Sequence, residues 1–356
     1  MLGAAACGQD AVPTGTRLKP EFADACTGGG LDLTSSNVAK DGIPALTDPL
    51  FVSLDAPGAT YLKDEDRVIG LVISGEALAV PLPIMKWHEI MNLDRVGARL
   101  AVTYCPLTGT SIVFDRGPRD GVAFGVTGLL LDNNLVMYDR SESESLWTQM
   151  TGGAICGPAA GTSLPRAPVV ETTLLAWRTL HPDTKVTSSE TGYDRNYLVN
   201  PYEDYERLDA PPLYDVKNRD NRRLPKERVV GIPEGDGGLA VPFMVLDATP
   251  RAALTLKVGP RTVVVFWDRA SQSAAVYRPV PVWADGYERP VEGALTFEAA
   301  GDGYVDRETG TVWSIEGVAV AGPARGSRLP FVEDALVAYW FAWADFHPGT
   351  EVLSGL

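Results

Sequence analysis

An internal repeat constrains this chain more than any other feature of its sequence. Asp66-Arg-Val-Ile-Gly-Leu71 returns as Glu227-Arg-Val-Val-Gly-Ile232, and Ala77-Leu-Ala-Val-Pro-Leu82 returns as Gly238-Leu-Ala-Val-Pro-Phe243. Four further residues, one Asp, two Trp and one His, recur in the same order. In the first copy they are Asp139, Trp147, Trp177 and His181, and in the second copy Asp306, Trp313, Trp343 and His347. Because so many anchors keep one order, the sequence predicts two homologous copies of one unit.

Each copy has the pattern of short strands followed by one helix. The apolar spacing predicts the first helix over residues 172–180 and the second over residues 334–346. The 36 glycines and 27 prolines favour turns and short strands over long helices. We therefore expect a β-rich α+β fold: two tandem homologous repeats of short antiparallel strands plus one C-terminal helix each, packed as one pseudo-symmetric body.

The repeat also predicts the domain boundaries. Residues 1–40 form an N-terminal lead-in, and residues 41–185 form the first repeat. Residues 186–224 are polar and rich in tyrosine, which predicts an ordered connecting loop. Residues 225–356 form a second repeat, which we expect to be structural.

The net charge and the N-terminal residues indicate the partners and the cellular location of the protein. The formal net charge of −15 argues against nucleic acid or an anionic membrane surface as a partner. No run reaches the roughly 18 apolar residues of a transmembrane segment. The small residues before Cys7 resemble the end of a bacterial lipoprotein signal, which predicts export to the periplasm, cell surface or medium, with lipid on Cys7. An ordinary N-terminal lead-in is the alternative. In an exported protein, Cys26, Cys105 and Cys156 are candidates for a disulfide.

The repeat separates structural from functional candidates. A residue present in both copies is expected to serve the shared fold, so His181 and His347 are predicted to be helix-end residues. Cys105 aligns with Trp267, and the segment 84–92 has no counterpart in the second copy. In that segment Ile84, Trp87, His88 and Met91 fall on one face of a predicted helix. Residues found in one copy only are the better candidates for chemistry.

The stretch Ala101–Thr110 predicts where the chemistry is placed. Apolar residues alternate up to Cys105, as in a half-buried strand, and the chain then turns through Pro106 and Gly109 into a second strand. Cys105 is therefore predicted at a strand end, where a rigid sheet presents its side chain to a cleft.

Several ordered motifs carry a family resemblance. They are Trp87-His-Glu-Ile90 with Asn92, Val102-Thr-Tyr-Cys-Pro-Leu-Thr-Gly109, Val136-Met-Tyr-Asp-Arg140, Tyr193 with Pro201-Tyr202, and Pro225-Lys-Glu-Arg-Val229. Over about residues 41–356 the chain resembles the domain-of-unknown-function family 3179 of bacteria and archaea. Many members carry a second cysteine in the turn, where this chain has Thr108. The resemblance implies a shared organisation and no particular reaction.

A thiol enzyme is the first of three hypotheses for the site. Cys105 and His88 would form a thiolate–imidazolium pair, which lowers the pKa of the cysteine. Glu89 or Asn92 would orient the imidazole, and Asp139 is a further catalytic candidate. The backbone amides of the turn would receive an oxyanion; they belong to Thr108, Gly109 and Thr110.

A copper site is the second hypothesis. Thiolate, imidazole and thioether form a ligand set for soft metals. Cys105 and His88 would supply the first two, and Met137, Met85 or Met91 the third. With three histidines in the chain, two of them assigned to helix ends, a multi-histidine centre is excluded. No nucleotide cofactor is expected, because the chain has no glycine-rich phosphate-binding motif.

The third hypothesis is a binding or envelope module without chemistry. A cleft between the repeats would hold a small apolar or aromatic ligand. Its predicted lining is aromatic: Trp87, Tyr104, Tyr138 and Trp147. The distance between the Cys105 sulfur and the His88 ring nitrogens distinguishes a shared site from two separate structural roles.

Overall fold

The computed structural model describes residues 32–356, and strands dominate that part of the chain. Strand accounts for 40% and helix for 10%, and six small sheets form a propeller-like ring. Cys7 and Cys26, and with them the predicted lipid anchor, lie outside the described residues. Within residues 32–356 no helix is long and apolar enough to cross a membrane.

Strands β1–β14 form three sheets. Sheet 1 contains, in spatial order, β1 (Leu33–Ser35), β9 (Phe124–Leu131), β10 (Asn134–Asp139), β11 (Leu146–Thr148) and β12 (Ala154–Cys156). Sheet 2 contains, in the same sense, β13 (Val170–Thr173), β4 (Arg67–Ile73), β5 (Glu76–Pro81), β14 (Lys185–Thr187) and β3 (Phe51–Ser53). Sheet 3 contains β2 (Leu46–Thr47), β6 (Ile90–Arg95), β7 (Ala98–Cys105) and β8 (Thr110–Asp115).

Strands β15–β25 form the other three sheets. Sheet 4 contains β24 (Leu336–Tyr339), β15 (Arg228–Glu234), β16 (Gly237–Pro242) and β25 (Gly349–Val352). Sheet 5 contains β17 (Arg251–Val258), β18 (Arg261–Asp268) and β19 (Ser273–Tyr277). Sheet 6 contains β20 (Phe297–Ala300), β21 (Gly303–Asp306), β22 (Val312–Trp313) and β23 (Ala319–Ala321).

Short helices connect these strands. The α-helices among the described residues are α1 (Leu82–His88), α2 (Leu174–Leu180), α3 (Phe243–Leu246) and α4 (Trp340–Phe346). Single turns of 3₁₀ helix cover Pro57–Ala59 and Gly117–Arg119. Residues 188–227 contain neither a helix nor a strand.

The predicted fold class is wrong. We expected an α+β protein of two tandem repeats with one C-terminal helix each, packed as a pseudo-symmetric body, whereas the structure is a β-rich ring of six small sheets with four helices. Two of those helices, α1 and α3, follow β5 and β16 directly. Both predicted helices are shorter than expected, because Thr172 and Thr173 pair in β13 and the residues before Trp340 pair in β24. Strand pairing satisfies these backbone groups, so the helical spacing is not used there.

The segment around His88 also differs from its prediction. Helix α1 ends at His88, Glu89 has a φ of 57°, and β6 begins at Ile90. The left-handed conformation of Glu89 stops the helix after two turns. Met91 therefore belongs to a strand and does not continue the helical face of Ile84 and Trp87.

The two groups of strands share their central core. Strand β8 contacts β24, and β13 contacts β19. One buried cluster, the shared core, contains Cys105 and Trp147 from the first group and Trp340 and Trp343 from the second. Cys105 is therefore placed where the two groups of strands meet.

Tryptophan rings pack directly on glycines of the central strands. A Cβ atom at Gly70 would lie 2.3 Å from the Trp177 ring, and one at Gly231 would lie 2.1 Å from the Trp343 ring. Each indole is also held by a hydrogen bond: Trp177 Nε1 donates to Thr184 Oγ1 at 2.9 Å, and Trp343 Nε1 donates to Thr350 Oγ1 at 2.9 Å. The glycines are thus required by close packing.

We expect Gly70→Ala to destabilise the protein. The new methyl group overlaps the fixed Trp177 ring, so the free energy of unfolding should fall by about 2 kcal/mol. Urea unfolding followed by tryptophan fluorescence measures this change. Gly355→Ala is the matched control, because its Cβ would meet nothing within 4 Å. Equal stability of the two variants would contradict the packing argument.

Candidate functional site

The cysteine turn joins two strands of sheet 3. Strand β7 ends at Cys105, β8 begins at Thr110, and the N–H of Gly109 donates to the Cys105 carbonyl at 2.9 Å. Gly109 has a φ of 64°, and a Cβ there would lie 2.8 Å from the Tyr339 ring. The turn therefore needs glycine for its backbone conformation and for the ring that packs on it. The predicted strand, turn and strand around Cys105 are confirmed, but the side chain does not face a cleft as expected, because it is buried in the shared core.

Cys105 is a buried free thiol, with 1% of its surface exposed. Burial raises the pKa of this thiol to about 11, and the nearby carboxylate of Glu89 adds to the rise. The hydroxyl and backbone N–H of Thr108 and the backbone N–H of Leu135 oppose it by hydrogen bonding to the sulfur. Donors that surround a sulfur atom stabilise the thiolate over the thiol. The resting site thus holds a protonated thiol, which donates to the Asn133 carbonyl oxygen at 4.0 Å.

Glu89 brings a carboxyl group to the thiol. It follows the last residue of α1, and its backbone carbonyl accepts a hydrogen bond from the Tyr104 N–H at 2.8 Å. Burial raises the pKa of Glu89 to about 8. A carboxyl group with this pKa is largely protonated at neutral pH. Of the predicted candidates, Glu89 thus acts on the pKa of Cys105 through its charge.

Lys226 is a further residue of the site, and no sequence pattern had indicated it. It is 1% exposed, and its Nζ has no hydrogen-bond partner among the described residues. Nζ lies over the Tyr205 ring at 3.3 Å and the Phe341 ring at 4.3 Å. Burial lowers the pKa of Lys226 to about 7, whereas the neighbouring Cys105 thiolate raises it. The charge of Cys105 therefore favours protonation of the amine.

Tyr205 and Tyr339 enclose this amine and the turn. The Tyr205 hydroxyl donates to the Leu107 carbonyl at 2.7 Å, and the Tyr339 N–H donates to the Thr108 carbonyl at 2.8 Å. The titration of both tyrosines responds to Cys105, and burial raises the pKa of each. Residue 205 comes from the long connecting segment and residue 339 from β24, so distant parts of the chain complete the site.

One signal in the sequence could have identified Lys226. The residue lies in Pro225-Lys-Glu-Arg-Val229, a motif that contributed only to the family resemblance. In the alignment of the copies Lys226 stands opposite Glu65, so it too occurs in one copy only. Lys226 was missed because the second copy was expected to be structural throughout.

A buried network of hydrogen-bonded polar side chains contacts the cysteine turn. Thr110 Oγ1 donates to Gln149 Oε1 at 2.8 Å, and Asn134 Nδ2 donates to Thr108 Oγ1 at 2.9 Å and to Gln149 Oε1 at 2.8 Å. Gln149 Nε2 donates to Thr103 Oγ1 at 3.1 Å. Such a satisfied network fixes side-chain orientation. It holds Thr108, whose hydroxyl donates to Thr110 Oγ1 at 2.9 Å, in a defined position.

His88 belongs to a different environment. Its Nδ1 lies 2.7 Å from the Pro44 carbonyl oxygen and its Nε2 lies 2.7 Å from the Tyr197 hydroxyl. Because a carbonyl oxygen accepts only, Nδ1 donates, and Nε2 of the neutral ring accepts from Tyr197. Burial lowers the pKa of His88 to about 4, so the ring is neutral at pH 7. Neither ring nitrogen forms a hydrogen bond with Cys105.

Two further predicted candidates are engaged in structural hydrogen bonds. Asn92 Nδ2 donates to the Phe124 carbonyl at 2.9 Å, and its Oδ1 accepts from the Phe124 N–H at 2.8 Å, which joins sheets 3 and 1. Asp139 accepts from Trp147 Nε1 at 3.0 Å and from the Ser145 N–H at 3.2 Å. Its counterpart Asp306 accepts from Trp313 Nε1 at 2.8 Å.

The predicted aromatic lining does not surround one cleft. Trp87 Nε1 donates to the Val199 carbonyl at 3.3 Å on the connecting segment. Tyr104 is buried on the face of β7 opposite to Cys105, because side chains alternate along a strand. Tyr138 lies beneath the Lys40 ammonium, which is 3.9 Å from its ring centre, and Trp147 is buried in the shared core.

The predicted copper ligands are divided between core clusters, since Cys105 and Met137 share one cluster, whereas Met85 and Met91 belong to another. Met137 is buried in β10 opposite Val126 and Trp147. Residues 32–356 contain no group of three or more His, Cys, Asp and Glu side chains placed to hold a metal ion. Copper binding therefore stays a prediction without a contact that supports it.

The described cysteines differ in their covalent state. Cys156 is disulfide-bonded, whereas Cys105 is a free thiol. Of the three cysteines predicted as disulfide candidates, Cys105 is thus not part of a disulfide, and Cys26 lies outside the described residues. The site thiol is available for chemistry.

Comparison with known proteins identifies the family. The sequence model of the family described as "Protein of unknown function (DUF3179)" matches residues 40–350, nearly the whole chain. The chain belongs to this family, which confirms the resemblance found in its motifs. No curated protein and no solved structure matches it significantly.

Proposed function

We propose that this member of the DUF3179 family performs thiol-based chemistry at a buried site, in which Cys105 is the nucleophile and Lys226 receives its proton. One observation carries the proposal: the buried Nζ of Lys226 has no hydrogen-bond partner among residues 32–356 and is electrostatically coupled to a free thiol. A buried amine without a partner costs stability, so it is seldom kept without a purpose. Perturbed titration in such a cluster is typical of functional sites.

The protonation states fit this division of roles. Between about pH 7 and 8 Lys226 is a free amine, Glu89 a protonated acid and Cys105 a thiol, because their pKa values are about 7, 8 and 11. All three groups are then neutral, as burial requires. A free amine with a pKa near the working pH is an effective proton acceptor.

The reaction step that we infer is proton transfer coupled to attack. When Tyr205 is displaced, the Cys105 proton passes through an entering water molecule to the Lys226 Nζ, because the thiol and the amine share no hydrogen bond in the closed structure. The sulfur electron pair then forms a bond to an electrophilic carbon, and a leaving group departs with its electrons. The Thr108 hydroxyl and the N–H groups of Thr108 and Leu135 stabilise the sulfur while it carries charge. The ammonium beside it supplies the compensating positive charge.

The connecting segment controls access in this proposal. Tyr205 covers Lys226 and bonds to the carbonyl of Leu107 in the turn. The same segment is held to helix α1, because Glu206 pairs with Lys86 at 2.8 Å. Displacement of Tyr205 would open the amine and the thiol together.

Alkylation of Cys105 by iodoacetamide tests the role of Lys226. At pH 8 we expect Lys226→Met to slow the reaction about tenfold or more, because the thiol loses its proton acceptor and its compensating charge. Peptide mass spectrometry measures the labelling rate of Cys105, and Cys105→Ala gives the background. Lys257→Met is the matched control, since Lys257 is exposed on β17. Equal rates in wild type and Lys226→Met would refute the proposed base.

Export forms the second part of the proposal. The disulfide bond of Cys156 supports it, because disulfides persist in oxidising compartments and are rare in the cytosol. We expect the protein in the periplasmic or cell-surface fraction, with Cys105 as a thiol. Recovery in the cytosolic fraction with a reduced Cys156 would contradict this assignment.

A further inference from the structure

A cavity separates the two groups of strands at a distance from the cysteine turn. It lies between strands β13 and β4 on one side and β19 and β24 on the other, and its volume is about 330 Å³. Small-molecule sites commonly have about 300–1,000 Å³ and lie between structural units. The size and position of this cavity are therefore those of a ligand site.

The rim of the cavity is unusually apolar for an exposed surface. Val72, Leu180 and Val320 all line it, and their exposed fractions are 43%, 38% and 46%. Single exposed apolar side chains are common, but several that converge on one concavity mark a binding surface. Inside, the cavity continues with small apolar residues of β19 such as Ala275 and Val276. The walls fit an apolar chain or ring.

The charges at the cavity leave one cation without a partner. Glu171 is balanced by Arg67 at 3.0 Å and Arg228 at 2.6 Å. Glu316 pairs with His181 Nε2 at 3.0 Å. Arg328 also lines the cavity as an exposed residue, and none of the ion pairs or hydrogen bonds among residues 32–356 involves its guanidinium.

We propose that this cavity binds an amphipathic organic anion: a carboxylate with an apolar chain or ring. The apolar part fills the space between β4 and β19, and the carboxylate pairs with the Arg328 guanidinium, which binds carboxylates through two parallel hydrogen bonds. An apolar cation is disfavoured, because both acidic side chains already have partners: Glu171 has two arginines, and Glu316 has His181. The site is separate from the thiol cluster, since neither Cys105 nor Lys226 lines the cavity.

Calorimetric titration of the full chain with octanoate tests the proposal. We expect saturable binding of octanoate and none of octylamine at equal concentration. Arg328→Gln should weaken octanoate binding about tenfold, because a charge-assisted pair is lost. Val72→Trp should abolish it by filling the mouth of the cavity.

Two controls separate this site from general effects and from the thiol chemistry. Val96→Trp places the same side chain on an exposed loop outside the cavity and should leave octanoate binding unchanged. Cys105→Ala should also bind octanoate normally, so loss of thiol chemistry and loss of binding are distinguishable. Absence of saturable octanoate binding, equal binding of octylamine, or indifference to both cavity substitutions would overturn the proposal.

Discussion

Lys226→Met should make the folded protein more stable by about 3 kcal/mol at pH 6. Burial moves the pKa of Lys226 from 10.5 to about 7, and each pKa unit corresponds to about 1.4 kcal/mol. Contacts of the ammonium with the aromatic faces of Tyr205 and Phe341 offset about 2 kcal/mol of this desolvation cost. Methionine has a similar shape and needs no hydrogen-bond partner, so it fills the same space without that cost.

The stability gained by Lys226→Met should decrease as the pH rises. The pKa of Lys226 is lower in the folded state, so between pH 7 and 10.5 the unfolded chain binds more protons and stability rises with pH. The advantage of Lys226→Met should therefore be largest below pH 7 and shrink as the pH approaches 10.5. Urea unfolding at several pH values measures it.

Lys257→Met serves as the reference for that measurement, because the amine of Lys257 is exposed in both states. The effect of Lys257→Met on the free energy of unfolding should stay small at every pH. If Lys226→Met were less stable than wild type at pH 6, the amine would have an unseen partner, and its proposed role as a free base would fail.

Glu89→Gln should produce the opposite pH profile. Burial raises the pKa of Glu89 from 4.5 to about 8, so the folded state keeps its proton while the unfolded chain loses it. Stability contributed by this proton is present below pH 4.5 and is lost as the pH rises to 8. We expect the variant to match wild type near pH 4.5 and to exceed it by about 5 kcal/mol at pH 9.

The same unfolding series measures this second effect. Glu65→Gln is a suitable control, because Glu65 occupies the position that aligns with Lys226 and is exposed. A pH-independent difference between Glu89→Gln and wild type would mean that Glu89 titrates normally in the folded protein.

The two profiles together mean that Lys226 and Glu89 lower the free energy of unfolding at the pH where the site would work. Between pH 7 and 8 the unfolded chain gains from a charged Lys226 and a charged Glu89, whereas the folded site holds both neutral. Functional sites commonly reduce stability in this way. Between pH 7 and 8 the two contributions to the pH dependence have opposite signs, so removal of both groups should raise the free energy of unfolding and leave its slope with pH nearly unchanged.

The sequence by itself determined the local geometry of the cysteine turn. Alternation of apolar residues requires a strand up to Cys105, and Pro106 and Gly109 end it, because one lacks a donor and the other accepts a left-handed backbone. The family followed from ordered motifs that are also short-range patterns. Such features depend on residues next to each other in the chain, so the sequence contains all the information they need.

Only the tertiary structure decided which groups meet the thiol. His88 and Glu89 are neighbours in sequence, but the positive φ of Glu89 at the end of α1 sends their side chains to different environments. The charge of Cys105 acts on Lys226, which is enclosed by Tyr205 and Tyr339, and these residues lie about one hundred or more positions from the turn. The packing of sheets 3 and 4 brings them together. No local pattern encodes that proximity, because it depends on long-range contacts of the folded core.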